Sequence, residues 1–201
     1  MHPQEFAQKW TRARLKERSA SHEHFIDLCR MVGHPTPAEF DPKGETFTFE
    51  KGARKDSGRP GFADVWYKDH FGWEYKGKGE DLKAAYGQLL KYRDNLANPK
   101  LLIASDFDTI VIHTNFNGTV SWIYPVTLDH FQDSTIPVEV LEPTGVKAKT
   151  GPRLSGIAVI RACFENPDLL APGQTTEALT ADAAKRFEII ANSLKGPEEM
   201  G

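Results

Sequence analysis

One long amphipathic stretch set between two groups of short strand-like runs narrows the folds open to this chain more than any other feature. Glu80 and Asp81 open it, acids placed at the positive end of a helix. Leu82, Ala85, Tyr86, Leu89, Leu90 and Leu96 give it an apolar face, and Asn98-Pro99 ends it. Before it lie three strand-like runs, Thr46–Phe49, Phe62–Tyr67 and Phe71–Lys76; the polar stretch Lys51–Pro60, with Gly and Pro, is a loop between the first two. After it come Leu101–Ser105 and Thr109–Thr114 around an Asp106-Phe107-Asp108 turn, with Thr119–Tyr124 as a further strand. Hairpins on either side of one helical crossover predict an α/β fold, a mixed sheet with helices on its faces.

The ends of the chain read as helical. Phe25, Leu28, Cys29 and Val32 recur at helical spacing within residues 17–32, and Gly33 followed by Pro35 supplies the stop. Phe6, Trp10 and Ala13 suggest a shorter helix upstream. Pro143–Ser155, rich in Gly, Pro and Lys, reads as a linker, followed by helices over about 156–164 and 177–194. The second carries Leu179, Ala183, Phe187, Ile190 and Leu194. With 201 residues, 39% of them hydrophobic, the chain suits one medium domain plus a tail and excludes disorder throughout. No apolar run approaches the roughly 18 residues of a membrane span, and the Met1–Glu5 start has no signal-peptide character. Cys29 and Cys163 read as buried thiols without a disulfide, so a reducing compartment, the bacterial cytoplasm, is expected. The net charge of -3 hides a basic block: residues 51–100 hold eleven Lys/Arg against seven Asp/Glu. That sign suits phosphate contacts, and a solvated surface equally.

The chemistry concentrates in Phe62–Lys76. Side chains alternate along a strand, so Glu74 and Lys76 share one face while Trp73 and Tyr75 take the other. A hairpin loop at residues 68–70 sets Asp64 opposite Glu74, and facing residues have Cβ atoms about 4.5–5.5 Å apart. Two carboxylates that close call for a cation between them. A hard divalent ion such as Mg²⁺ takes one or two carboxylates plus waters and a substrate phosphate. Lys76 beside it can orient or deprotonate a water, or neutralise charge on a pentavalent phosphate. Asp, Glu and Lys so placed suit phosphodiester hydrolysis. Spacing alone equally allows a structural ion cluster in which Lys76 and Lys78 neutralise the acids. In the following helix Asp81, Ala85, Gln88 and Tyr92 form a stripe beside the apolar face, where Gln88 and Tyr92 can support a metal site. Other motifs carry less. Gly72 through Gly77-Lys78 mimics a P-loop but has Gly79 where Ser or Thr is needed, and its interior reads as strand. His22-Glu23-His24 lacks the spacing of zinc ligands on one helix face and reads as surface histidines. Trp66 and Trp73 read as core on the face away from the acids.

Asp64, nine intervening residues, then Glu74-Tyr75-Lys76, with a helix before and Gln88-Leu89-Leu90-Lys91-Tyr92 after, resembles the PD-(D/E)XK nuclease superfamily. The Gln-x-x-x-Tyr element looks like that of its RecB-like branch. Further blocks are similar to the N-terminal region of MmeI-type restriction enzymes: Glu17-Arg18-Ser19-Ala20, His24 through Cys29, Gly33-His34-Pro35-Thr36-Pro37, Ala63-Asp64-Val65-Trp66, and Asp106 with Ile112 through Phe116. The similarity spans nearly all of residues 5–195; Ala63 stands where the superfamily's name has Pro.

The resemblance implies a restriction-endonuclease-like core over 1–150, with 151–201 as linker and start of a helical spacer. Asp64 and Glu74, with the backbone carbonyl of Tyr75, would bind Mg²⁺, for which Mn²⁺ can substitute; Lys76 would be the catalytic lysine. Gln88 and Tyr92 would support the site, and Glu23, Asp27 or Glu50 would add a third carboxylate. The DNA-contacting residues stay unassigned. The implied activity is DNA endonuclease of a type II restriction–modification system, acting on duplex DNA, with transient pairing of two chains and no membrane partner. The family's N6-adenine methyltransferase, which uses S-adenosylmethionine, and its target-recognition domain have no motifs here. The alternatives are a RecB-like exonuclease or nickase, and a non-catalytic DNA-binding or docking module.

Overall fold

The computed structural model describes residues 1–15, 17–52 and 62–173. Its centre is a sheet of β1 (Phe47–Lys51), β2 (Ala63–Tyr67), β3 (Phe71–Tyr75), β4 (Leu101–Ser105), β5 (Thr109–Thr114) and β6 (Ile123–Thr127), ordered as in the chain. The helices are α1 (Pro3–Arg12), α2 (Glu17–Val32), α3 (Pro37–Phe40), α4 (Leu82–Tyr92), α5 (Asp129–Gln132) and α6 (Gly156–Glu165). Only β3 and β4 pair in parallel; every other neighbouring pair in this sheet is antiparallel. The parallel pair is the one joined by α4, as a helical crossover requires. The mixed α/β fold read from the sequence is therefore present.

Alternation along the strands sorts the side chains into two layers. Phe71, Trp73 and Tyr75 of β3, with Ile103, Ile112 and Tyr124, enter the large core, together with Phe6 and Trp10 of α1, Phe25 and Leu28 of α2, and Val159 and Phe164 of α6. The other face of the sheet carries a small second cluster, Ala63, Trp66, Leu89, Leu96 and Leu102, beneath α4. Trp66 and Trp73 thus lie on opposite faces, which corrects the expectation that they share one. Trp66 pairs with Gly72, and its parity is that of Asp64. Cys29 and Cys163 are buried free thiols. His24 is buried as well, 0% exposed, against its reading as a surface histidine, and burial pushes its imidazole down to about 3. His22 alone of that pair is exposed.

Besides shifts of one or two residues at the ends of β1, β2 and β3, three segments differ from the sequence reading. The helix α4, capped by Asp81 accepting from Lys83 N at 2.8 Å, ends at Tyr92 instead of reaching Leu96. Leu96 N shares the carbonyls of Tyr92 and Arg93 in a tightened turn, and Ala97 and Asn98 take positive φ. Trp66 Nε1 donates to the Leu96 carbonyl at 2.7 Å, so the indole satisfies an acceptor near the helix end. The last strand is Ile123–Thr127, displaced from Thr119–Tyr124, and contains Pro125; the sheet's final strand tolerates a residue with no N–H. The stretch 143–155 is pinned, not a free linker. Leu141 bridges both Ile123 and Lys147, and β8 (Leu154–Ser155) pairs with β7 (Pro137–Val138). Its Gly and Pro residues mark turns that let Val140 and Ala148 be buried. The α6 segment packs in the large core; the helix expected at 177–194 lies outside the described residues. No helix among the described residues is long and apolar enough to cross a membrane.

Gly72 is where the crossover helix touches the sheet. A Cβ there would stand 2.8 Å from Leu96 Cδ1, and Leu96 is itself fully buried. Gly72→Ala is therefore expected to lower the urea unfolding midpoint. The overpacking cost of about 1–3 kcal/mol outweighs the roughly 0.5–1 kcal/mol gained by removing a strand glycine. An unchanged or raised midpoint would show that Leu96 yields freely.

Candidate active site

The site starts from the β2–β3 hairpin. Val65 pairs with Trp73, Trp66 with Gly72 and Tyr67 with Phe71, the register expected from a loop at residues 68–70. The ladder stops at Val65 and Trp73. Asp64 spans the parting strands with its side chain, Oδ2 accepting the backbone N–H of Tyr75 at 2.7 Å. On the other edge β3 stays paired with β4, and Lys76 N continues the pattern by donating to the Ser105 carbonyl at 2.8 Å.

Glu74 is 6% exposed on the face under α4. Its Oε1 accepts from Gln88 Nε2 at 2.9 Å and from Lys76 Nζ at 3.2 Å. Burial, then the charge of Asp64, pushes the Glu74 carboxyl up to about 7 against the pull of Lys76. Asp64 is raised too, chiefly by burial, with the Tyr75 N–H and Lys76 opposing. One oxygen of each acid is thus engaged. The other, Asp64 Oδ1 and Glu74 Oε2, accepts no hydrogen bond from a described residue.

The structure therefore brings Asp64, Glu74, Lys76 and Gln88 together. Tyr92, one turn beyond Gln88, instead packs its ring against Phe62, with centroids 5.2 Å apart. Lys78 does not join the acids. The strand ends at Tyr75, and Lys78 turns to the other side of the sheet, donating to the Trp10 carbonyl at 3.0 Å and pairing with Asp108 at 2.7 Å. Gly79, with positive φ, donates to Asp106 Oδ2 at 3.1 Å and holds that turn in place. Glu23 and Asp27 also face away, each 2.6 Å from Lys9 Nζ, with Asp27 accepting from Trp10 Nε1 as well. Glu50, at the end of β1 with positive φ, is near enough for its charge to raise Asp64. Two further groups bear on the acids: His22, whose charge lowers Asp64, and Glu17 at the start of α2, whose charge raises Glu74. Neither reads as a site residue in the sequence, where His22 is a surface histidine and Glu17 part of a family block, because their approach depends on how α2 docks.

A hard divalent cation suits this donor set. A half-buried and a buried carboxylate each keep an oxygen without a donor among the described residues, and burial together with the charge of Asp64 has driven Glu74 to about 7. Among the described residues no three His, Cys, Asp or Glu converge as a ready metal cluster, so a bound ion would need water, backbone or substrate oxygens to complete its shell.

The family model described as "MmeI, N-terminal domain" matches residues 1–151. The chain belongs to that family. This associates it with restriction–modification enzymes. No curated protein and no solved structure gives a significant match to the chain.

The raised Glu74 carboxyl has a consequence for stability that needs no substrate. The folded protein holds this proton more tightly than the unfolded chain, whose carboxyl has the ordinary value of 4.5. The group's stabilising contribution is complete below 4.5 and is lost as pH rises through about 7. In EDTA, Glu74→Gln is expected to be more stable than the parent at pH 8, by roughly 2–3 kcal/mol, with the gap closing toward pH 5. Urea titrations at both pH values check this; a gap that does not shrink in acid would refute it.

Proposed function

We propose that this chain is a Mg²⁺-dependent endonuclease domain of a restriction–modification enzyme, hydrolysing phosphodiester bonds of duplex DNA. The observation that carries this is the convergence of Asp64, Glu74, Lys76 and Gln88 on one sheet face in a chain of the MmeI N-terminal family. Asp64, Glu74 and the carbonyl of Tyr75 would hold the ion. When bound, Mg²⁺ would supply Lewis acidity at the phosphate and a lowered pKa for coordinated water.

The remaining work falls to the chain's own groups. Gln88 and the Tyr75 N–H each fix one carboxylate oxygen, so the acids present their other oxygens in a constant direction. The Lys76 ammonium, on the same face, orients the attacking water and offsets charge gathering on the phosphate oxygens. The water oxygen bonds to phosphorus, the bond from phosphorus to O3′ breaks, and the products are a 5′-phosphate and a 3′-hydroxyl. Each chain carries one such site, so cutting both strands calls for two chains pairing transiently on the duplex. The methyltransferase and target-recognition parts of the family are the partners that would bring the site to its sequence, with S-adenosylmethionine used by the former.

The lack of a third converging His, Cys, Asp or Glu among the described residues, and the Lys76–Glu74 ion pair, favour a second reading, a docking module with no catalysis. Incubating the chain at high concentration with Mg²⁺ or Mn²⁺ and closed circular DNA decides between them. We expect linear product, with nicked circles as the precursor. Glu74→Ala should abolish cutting while DNA binding is kept or strengthened, one phosphate-repelling charge being gone. Lys76→Ala should slow turnover by about 10²–10³-fold, the scale of losing one group that stabilises developing charge, with Mn²⁺ still bound. If circles stay intact and only linear DNA is degraded, the enzyme is an exonuclease; if nothing is cut, the docking module is correct.

A further inference from the structure

Tyr75 sits between Glu74 and Lys76 in the chain and points the opposite way from both. Its hydroxyl lies 2.9 Å from His24 Nδ1 on α2, and both residues are 0% exposed. His24 Nε2 has no partner among the described residues, so Tyr75 supplies the imidazole's one polar contact. Aromatic rings close the pocket around them: Trp10 lies edge-on to His24 at 4.6 Å, and Phe107 stacks on Tyr75 at 5.4 Å. A polar pair in such a wall has no water to turn to, and breaking it leaves an unpaired buried group.

This contact falls where β3 is least supported. Beyond Trp73 the antiparallel ladder to β2 has ended, and on that edge, among the described residues, the Asp64 side chain takes over the hydrogen bonding to the strand. The parallel pairing with β4 fixes the other edge, but nothing in either ladder fixes the strand perpendicular to the sheet. On the acid face, among the described residues, Glu74 and Lys76 hydrogen-bond to each other and Glu74 to Gln88, all from the end of β3 and the crossover helix. On the core face the Tyr75–His24 bond ties the strand to α2, and past the strand's end Lys78 ties it to the last turn of α1.

We propose that Tyr75 and His24 are positioning residues, which set where the Glu74 carboxylate and the Lys76 amine stand by anchoring the strand between them to α2. The proposal rests on Asp64 and Glu74 being the metal site. Its logic is geometric: side chains that project from one strand in opposite directions move together, and displacement of about 1 Å at a reacting centre can cost around a hundredfold in rate.

The test uses the full chain and two readouts, Mn²⁺ affinity by calorimetry and the separate kcat and KM for DNA cleavage. Tyr75→Phe keeps the ring and removes the hydroxyl. His24→Leu fills the space without a polar atom, and His24→Asn places an amide where Nδ1 stood. We expect Tyr75→Phe and His24→Leu to weaken Mn²⁺ binding by about 10-fold or more, the usual cost of losing a group that orients a ligand. We also expect kcat to fall with KM for DNA unchanged, and His24→Asn to recover most of the affinity. If His24→Leu fails to fold, Tyr75→Phe carries the test alone. Lowered unfolding midpoints with unchanged Mn²⁺ affinity and kcat in folded Tyr75→Phe would overturn the proposal, since a purely structural bond predicts that. Asp64→Ala separates the levels. If it abolishes Mn²⁺ binding while Tyr75→Phe binds as the parent does, only the positioning role fails. If the parent binds no Mn²⁺, or binds it equally after Asp64→Ala, the metal site fails and the positioning role with it.

Discussion

Where β2 and β3 part, the Tyr75 N–H would lose its ladder partner, and Asp64 replaces that partner with a carboxylate oxygen at 2.7 Å. The rest of the site follows from this substitution. A backbone carbonyl in the same place would have satisfied the donor and brought no charge. An aspartate satisfies it and delivers a negative group whose charge raises Glu74, at a half-buried position of the sheet. The hydrogen bond pulls Asp64 toward its ionised form, while burial works against both carboxylates and the charge of Asp64 further raises Glu74. The result is a site under electrostatic tension, which protons relieve at low pH and a divalent cation would relieve at neutral pH. Such tension persists only because the packing around it is secure. The two faces of β3 supply that packing unequally: aromatic side chains fill the core face, and the small cluster under α4 seals the other.

What the sequence disclosed about this site was local. Strict alternation in Phe62–Tyr67 and Phe71–Lys76, with a three-residue connection, allows only one register that keeps Phe71, Trp73 and Tyr75 on the core face; a slip by one would bury Glu74 and Lys76 there instead. Gln88 was legible for the same reason, since helical spacing from the Asp81 cap fixes its direction relative to Leu89. Tyr92 shares that stripe, but the helix ends on it, and its ring is drawn to Phe62. Lys78 was misread because alternation was carried past the end of the strand, across Gly77 and Gly79.

What stayed hidden depended on contacts between distant segments. An acid on α2 seemed free to serve the site from any of its turns, yet Lys9 of α1 takes both Glu23 and Asp27, and no pattern within α2 announces that. His24 reads as polar beside His22 and Glu23, and only the arrival of Tyr75, fifty-one residues on, makes burial tolerable. The segment 143–155 has the composition of a linker, because composition reports turns and says nothing of whether the residues between them find a partner; Lys147 and Leu154 do.

The charge of the central block has to be re-read in the same way. Summed along the chain, residues 51–100 look like a surface made for phosphates. In space, several of those cations are already spoken for. Lys78 is held by Asp108 and the Trp10 carbonyl, Lys100 by Asp168, and Lys51 lies 3.7 Å above the Trp66 ring. Lys76, the cation nearest the acids, is engaged with Glu74. The basic residues nearest the acids are thus engaged within the protein. If the site works as proposed, a phosphate approaching it would meet this acid pair, whose charge a bound cation would offset. The basic count of the block does not measure that.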